Sequence, residues 1–212
     1  MKFSCLKEKN SFIFKILILI VCGLGLYLNF KIGPFNKMIL YFTVQSNLLC
    51  FIFYLVVLLL KIKGKLKKSN TYYIFKGMVT MSITITMVVY WLLISSSNGL
   101  WIYKDHMLEC RFVHLYTPIL IILDYIIFGE KGKLKKSYPF IWSLVLILYT
   151  FFCVVYSYFG GTFINGASCP YLYMDINEFG IARVILNCGT IYIIYIIYGF
   201  IVQAVDNILR KG

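Results

Sequence analysis

The chain has 212 residues, 61% of them hydrophobic and only 14% charged, yet its formal net charge is +13, from 21 Lys and Arg against 8 Asp and Glu. Soluble domains carry about 25% charged residues, so this composition excludes an ordinary soluble enzyme, a disordered tail and a collagen-like chain. So apolar a chain has little water-facing surface to offer nucleic acid, and no nucleic-acid partner is expected; the partner its composition calls for is membrane lipid.

Taken in chain order, six apolar runs match the roughly 17–25 residues that a helix needs to cross a bilayer: about 12–33, 38–60, 75–97, 112–128, 138–160 and 181–205. The first holds Lys15 and Lys31 near its ends, where each is expected to snorkel to the interface. It follows Lys2, Lys7 and Lys9 as a signal peptide would. However, it is long, and no small-x-small cleavage site follows Asn29 and Phe30, so a retained helix is expected. The second run has no charge, and the fourth is interrupted only by Asp124. Barrel strands would instead alternate over about 10 residues. The expected fold is all-α: a single six-transmembrane-helix domain over residues 1–212.

The basic residues orient the bundle. With the N-terminus inside, 16 of the 21 cations fall on cytoplasmic segments, leaving Lys31, Lys37, Lys104, Arg111 and Arg183 outside. The positive-inside rule then places both termini in the cytoplasm. Tyr72, Tyr73, Trp101, Tyr103, Tyr138, Trp142, Tyr171 and Tyr173 stand where an interfacial aromatic belt is expected. The segment KGKLKKS occurs twice, at 63–69 and 131–137, each time after an even-numbered run. Drift toward similar Lys-rich loops explains this, as does duplication of a helical pair.

Polar side chains in lipid are costly and usually face the protein interior. One cluster opens the second run: Thr43, Ser46 and Asn47 stand at i, i+3 and i+4 and share a helical face. A second opens the fourth run, with His114 four residues before Pro118 and Asp124 further along. Proline has no N–H for the His114 carbonyl and crowds it, so a bend that leaves this carbonyl free is expected. Asp124 lies about 15 Å along the axis from His114. It is expected to be a structural partner for another helix or to be protonated. Thr43 precedes its KGKLKKS segment by 20 residues and His114 precedes its own by 17, which is roughly 30 and 26 Å of helix. The two therefore sit at one depth near the outer boundary, the minimum for a hydroxyl nucleophile and its base. Ser46 and Asn47 are candidate oxyanion donors. Arg183 and Asn187, at i and i+4, are candidates for an anion-binding group, with snorkelling the simpler account of Arg183.

The other polar residues carry less. Ser95, Ser96, Ser97 and Asn98 read as a helix end; Thr80, Ser82, Thr84 and Thr86 as backbone-bonded or packing residues; His106 as a surface group. Of seven cysteines only Cys110 and Cys169 fall in outer loops, where they either pair or remain free thiols. No metal spacing, dinucleotide fingerprint or P-loop is present, and no cofactor is expected.

Tyr-Phe-Thr-x-Gln-Ser-Asn on the second run, with His-x-x-x-Pro-x-x-x-x-x-Asp on the fourth, resembles a bacterial six-transmembrane family related to the androgen-induced protein and the androgen-dependent TFPI-regulating protein. The resemblance implies an intramembrane threonine hydrolase of fatty acid esters in a bacterial cell membrane. It implies Thr43 as nucleophile, His114 as its histidine and a lipid-like ester as substrate. Three outcomes are open: ester hydrolysis; acyl transfer by the same nucleophile; and a non-catalytic membrane protein, a small transporter or partner subunit, whose polar residues are interhelical hydrogen bonds worth about 0.6 kcal/mol each.

Overall fold

The computed structural model describes residues 2–94 and 106–210. Among these there is no strand. Six helices are long and apolar enough to cross a membrane: Glu8–Ile32, Phe42–Ile62, Asn70–Leu92, Met107–Phe128, Tyr138–Tyr158 and Ile176–Leu209. The protein is an all-α integral membrane protein, a six-helix transmembrane bundle. Ser95, Ser96, Ser97, Asn98, Trp101, Tyr103, Lys104 and Lys211 lie outside the described residues.

The boundaries differ from the apolar runs in ways that matter for function. Helix α1 (Lys2–Ile32) begins well before its apolar stretch. A short helix α2 (Phe35–Met38) follows Pro34. Then α3 (Phe42–Ile62) opens after Tyr41, whose backbone is extended. The second span therefore begins at Phe42 rather than near 38, which brings Thr43 into a helix N-terminus. Helix α4 (Asn70–Val89) continues through a π turn, Tyr90–Ile94. The fourth span is the least regular: α5 (Met107–Arg111), a π turn at Phe112–Tyr116, α6 (Thr117–Leu123) and a π turn at Asp124–Phe128. Helix α7 (Tyr138–Tyr158) and helix α8 (Ile176–Leu209) complete the bundle. Gly180 breaks α8 with φ +71°, so its uninterrupted part starts where the sixth apolar run does.

The two KGKLKKS segments lie at one end of the bundle but are built differently. At the first, Gly64 N–H bonds Lys61 O and Lys65 N–H bonds Leu60 O. This is a Schellman closure that needs the positive φ of Gly64, +64°. At the second, Gly132 N–H bonds the Asp206 carbonyl, while the Asp206 carboxylate takes Lys133 and Leu134 N–H at 2.9 and 3.0 Å. Lys61 reaches Glu8 O, and both Lys68 and Tyr73 bond the Glu130 carboxylate. The start of α1, both loops and the end of α8 thus form a single basic end.

The third span is the axis of the bundle. Its most apolar window is 61% buried, against 17% for the sixth span, and α4 packs against α3, α6 and α7. Gly77 makes this possible: a Cβ there would overlap the Trp142 indole, which donates to Ile74 O at 3.0 Å. Thr80, Thr84 and Thr86 hydroxyls bond carbonyls one turn back, as expected of packing residues. Leu148, Phe151, Ile193 and Ile197 face outward from α7 and α8.

Two expectations are corrected. Lys15 does not snorkel; it is 7% exposed and paired with Asp124 at 2.7 Å. Asp124, fully buried, also takes Lys76 and the Tyr54 hydroxyl at 2.9 Å each, so it joins three other helices. Most of the described belt aromatics turn inward as well. Tyr73, Tyr138, Trp142 and Tyr171 are buried; Trp142 fits the notch at Gly77 and bonds Ile74 O, while Tyr73 bonds the Glu130 carboxylate.

Candidate active site

Thr43 is the second residue of α3. Val44 and Gln45 N–H both return to Tyr41 O, which leaves the Thr43 N–H outside the helical ladder. The phenol of Tyr171, from the irregular segment between α7 and α8, shares the pocket with Thr43, whose N–H and hydroxyl partly offset the effect of its burial. Burial pushes the Tyr171 phenol up to about 12, so it remains a donor at every physiological pH.

His114 arrives from the facing π turn. Its Nε2 lies 3.1 Å from Thr43 Oγ1, with the threonine 5% and the histidine 1% exposed. The expectation that the two share one depth is met at hydrogen-bond distance. The ring's other nitrogen decides the direction of the bond. Nδ1 lies 3.1 Å from the Cys110 carbonyl. A carbonyl only accepts, so Nδ1 carries the proton and Nε2 presents a lone pair. The Thr43 hydroxyl therefore donates to Nε2. A hydroxyl, an imidazole nitrogen with a free lone pair and an orienting carbonyl stand in sequence.

Two aromatic residues hold the imidazole. Tyr90 stacks on it at 3.9 Å with an interplanar angle of 23°. Trp91 Nε1 donates to the His114 carbonyl at 3.0 Å. That carbonyl is the one Pro118 cannot serve, so the expected vacancy is filled by an indole. Both aromatics come from the π turn that ends the third span. π turns commonly accompany functional sites because the extra residue re-aims side chains.

The remaining candidates separate clearly. Asn47 Nδ2 donates to Thr43 O at 2.8 Å and Val113 O at 3.2 Å. Ser46 Oγ donates to Thr43 O at 3.0 Å and meets Thr86 Oγ1 at 2.8 Å. Neither faces a substrate position as an oxyanion donor; Asn47 locks the two site helices in register instead. Arg183 is exposed and Asn187 bonds Tyr173 O at 3.0 Å; neither lines the pocket. Cys110 and Cys169 are free thiols. The first is drawn to His114 Nδ1 at 3.5 Å and the second to Tyr171 O at 3.3 Å. His106 is half-buried beside Glu109, 3.6 Å away.

Thr43 and His114 line a pocket of about 550 Å³, including the space at its mouth. Phe42, Ile85, Val89, Leu146, Met174 and Ile191 supply apolar wall, and Tyr149, Thr150, Tyr171 and Tyr173 supply hydroxyls. Tyr90, Trp91, Tyr149 and Tyr171 have no distinguishing sequence signal. Tyrosine is abundant in the chain, and Tyr171 comes from a segment without periodicity.

No family model, no curated protein and no solved structure matches the chain.

Proposed function

We propose that the protein is a membrane-embedded lipid-ester hydrolase with Thr43 as nucleophile and His114 as base. The observation that carries the proposal is the 3.1 Å contact between Thr43 Oγ1 and a His114 Nε2 left unprotonated by the Cys110 carbonyl. A threonine hydroxyl is a weak nucleophile without such a base.

The chemistry follows from the geometry. His114 Nε2 takes the hydroxyl proton as Thr43 Oγ1 bonds to the ester carbonyl carbon, and the carbonyl oxygen becomes an oxyanion. The Tyr171 phenol, adjacent to Oγ1 and neutral, is the donor for that oxyanion. Collapse expels the alcohol oxygen, which takes the proton from Nε2 and leaves an acyl-threonine. Water then attacks the acyl carbon and gives its proton to Nε2. When this second intermediate collapses, the carboxylic acid departs and the proton returns to Thr43. The apolar walls suit an acyl chain. With the basic end in the cytoplasm, the site opens in the outer half of the membrane, where acyl chains and water both reach it. An alcohol in place of water converts the same intermediate to acyl transfer. The resemblance to the bacterial six-transmembrane family adds independent support, since Thr43 and His114 are the residues that match its motifs.

A lipid-like fluorophosphonate tests this on purified protein. Wild type is expected to be labelled at Thr43, and Thr43→Ala and His114→Ala each to lose labelling while remaining monodisperse. Labelling that persists in both variants overturns the proposal. A packing-only role for the pair predicts lower thermal stability in the variants and no labelling of wild type.

A further inference from the structure

The basic end contains a second and larger cavity, about 1870 Å³ including its open mouth, which the hydrolase chemistry does not use. Its floor is formed by Lys15 and Lys76, whose side chains are 9% and 8% exposed. They flank Asp124 from opposite carboxylate oxygens, at 2.7 and 2.9 Å. Two ammonium groups face one carboxylate, so the cluster carries a net positive charge inside the membrane-spanning region.

The hydrogen bonds are distributed unequally. Asp124 accepts from Lys15, Lys76 and Tyr54. Lys15 has further acceptors in Ser11 Oγ at 2.6 Å and Ser11 O at 3.4 Å. Lys76 has the single bond to Asp124 and retains two donors. A buried ammonium with unused donors, sharing its one carboxylate with a second ammonium, is costly unless something supplies further acceptors. Further up the wall the charge is again positive. Lys61 meets a backbone carbonyl, Glu8 O, at 3.3 Å and lies over the Phe12 ring. Two glutamates, Glu8 and Glu130, line the cavity against five lysines, and Glu130 is already engaged by Lys68 at 2.6 Å and by Tyr73.

We propose that this cavity binds a phosphate-bearing anion, with Lys76 as its anchor and Lys61 as a second contact nearer the mouth. A phosphate brings more than one negative charge and several acceptor oxygens. It therefore cancels the excess charge and uses both spare Lys76 donors at once, which a neutral or singly accepting ligand does not. The same chemistry is presented by the headgroup of an anionic phospholipid entering from the adjacent leaflet and by a soluble phosphate compound. The proposal stands independently of catalysis at Thr43.

The test uses the full chain, purified in phosphatidylcholine nanodiscs, with two probes. Dioleoyl phosphatidic acid is added to the bilayer and its retention read by native mass spectrometry. Inorganic phosphate is titrated from solution and its binding read by ³¹P line broadening. Wild type is expected to retain phosphatidic acid over phosphatidylcholine, or to broaden the phosphate line, or both. Lipid retention alone identifies a headgroup site; competition by phosphate identifies a soluble ligand. Lys76→Met should weaken binding by at least about tenfold while leaving a neutral Lys15–Asp124 pair. Lys76→Arg should preserve binding. Lys61→Met, near the mouth, should weaken it by about threefold. The proposal is overturned if wild type prefers neither probe, or if Lys76→Met binds as wild type does. If Lys76→Met fails to fold, equal binding by Lys61→Met and wild type overturns it.

Discussion

At the scale of single residues, the candidate site depends on one donor assignment. The Cys110 carbonyl fixes the His114 tautomer, which turns the Thr43 hydroxyl toward Nε2. The carbonyl orients the ring as a carboxylate does in a triad but without its full charge. Tyr171 is the residue that motif reading passed over. Its phenol shares the pocket with Thr43 and stays protonated because burial raises it to about 12. On the proposed mechanism Tyr171→Phe removes one oxyanion donor. It is expected to lower turnover of a lipid ester by about 100-fold, while fluorophosphonate still modifies Thr43, since its nucleophile and base are intact. Unchanged turnover assigns the phenol to packing alone.

At the scale of elements, irregular helix ends make the site. The π turns at Tyr90–Ile94 and Phe112–Tyr116 present Tyr90, Trp91 and His114 together. The late start of α3 frees the Thr43 N–H. Asn47 ties α3 to the fourth span by bonding carbonyls on both. Regularity is needed elsewhere, where α4 and α7 meet at Gly77 and Trp142. Gly77→Ala overpacks that crossing and should cost about 1–3 kcal/mol, seen as a lower midpoint of thermal unfolding in detergent. A midpoint equal to wild type would mean that α4 and α7 separate without penalty. The duplicated KGKLKKS segment is not a duplicated structure. One copy closes a helix through Gly64, and the other is pinned to α8 by Asp206.

For the whole molecule, charge and polarity are divided between the two ends. One end gathers the lysine-rich loops around the Lys15–Asp124–Lys76 cluster; the other carries the Thr43–His114 pocket. The excess of Lys and Arg on one side predicts that the basic end is cytoplasmic. In intact cells a membrane-impermeant maleimide should leave Lys67→Cys unmodified and label Asn165→Cys above the wild-type background. The reverse pattern inverts the topology and moves the pocket to the inner leaflet. The two proposed functions use separate cavities, so loss of anion binding in Lys76→Met should leave fluorophosphonate labelling of Thr43 in place.

The sequence by itself determined the class, the number of spans and the sidedness expected of them. Each rests on a local sum: apolar residues along about 20 positions, or cations in a short loop. It also brought Thr43 and His114 to one depth, because rise per residue is constant along a helix. Tertiary structure alone decided what surrounds that pair. Lys15 is an ion-pair partner rather than a snorkelling residue because Asp124 stands opposite it. Ser46 and Asn47 are backbone clamps, and Arg183 and Asn187 lie off the pocket. Tyr171 enters the site from a segment with no period to read. Hydrogen-bond direction and ion pairing are set by which helix faces meet, and no one-dimensional pattern records that meeting.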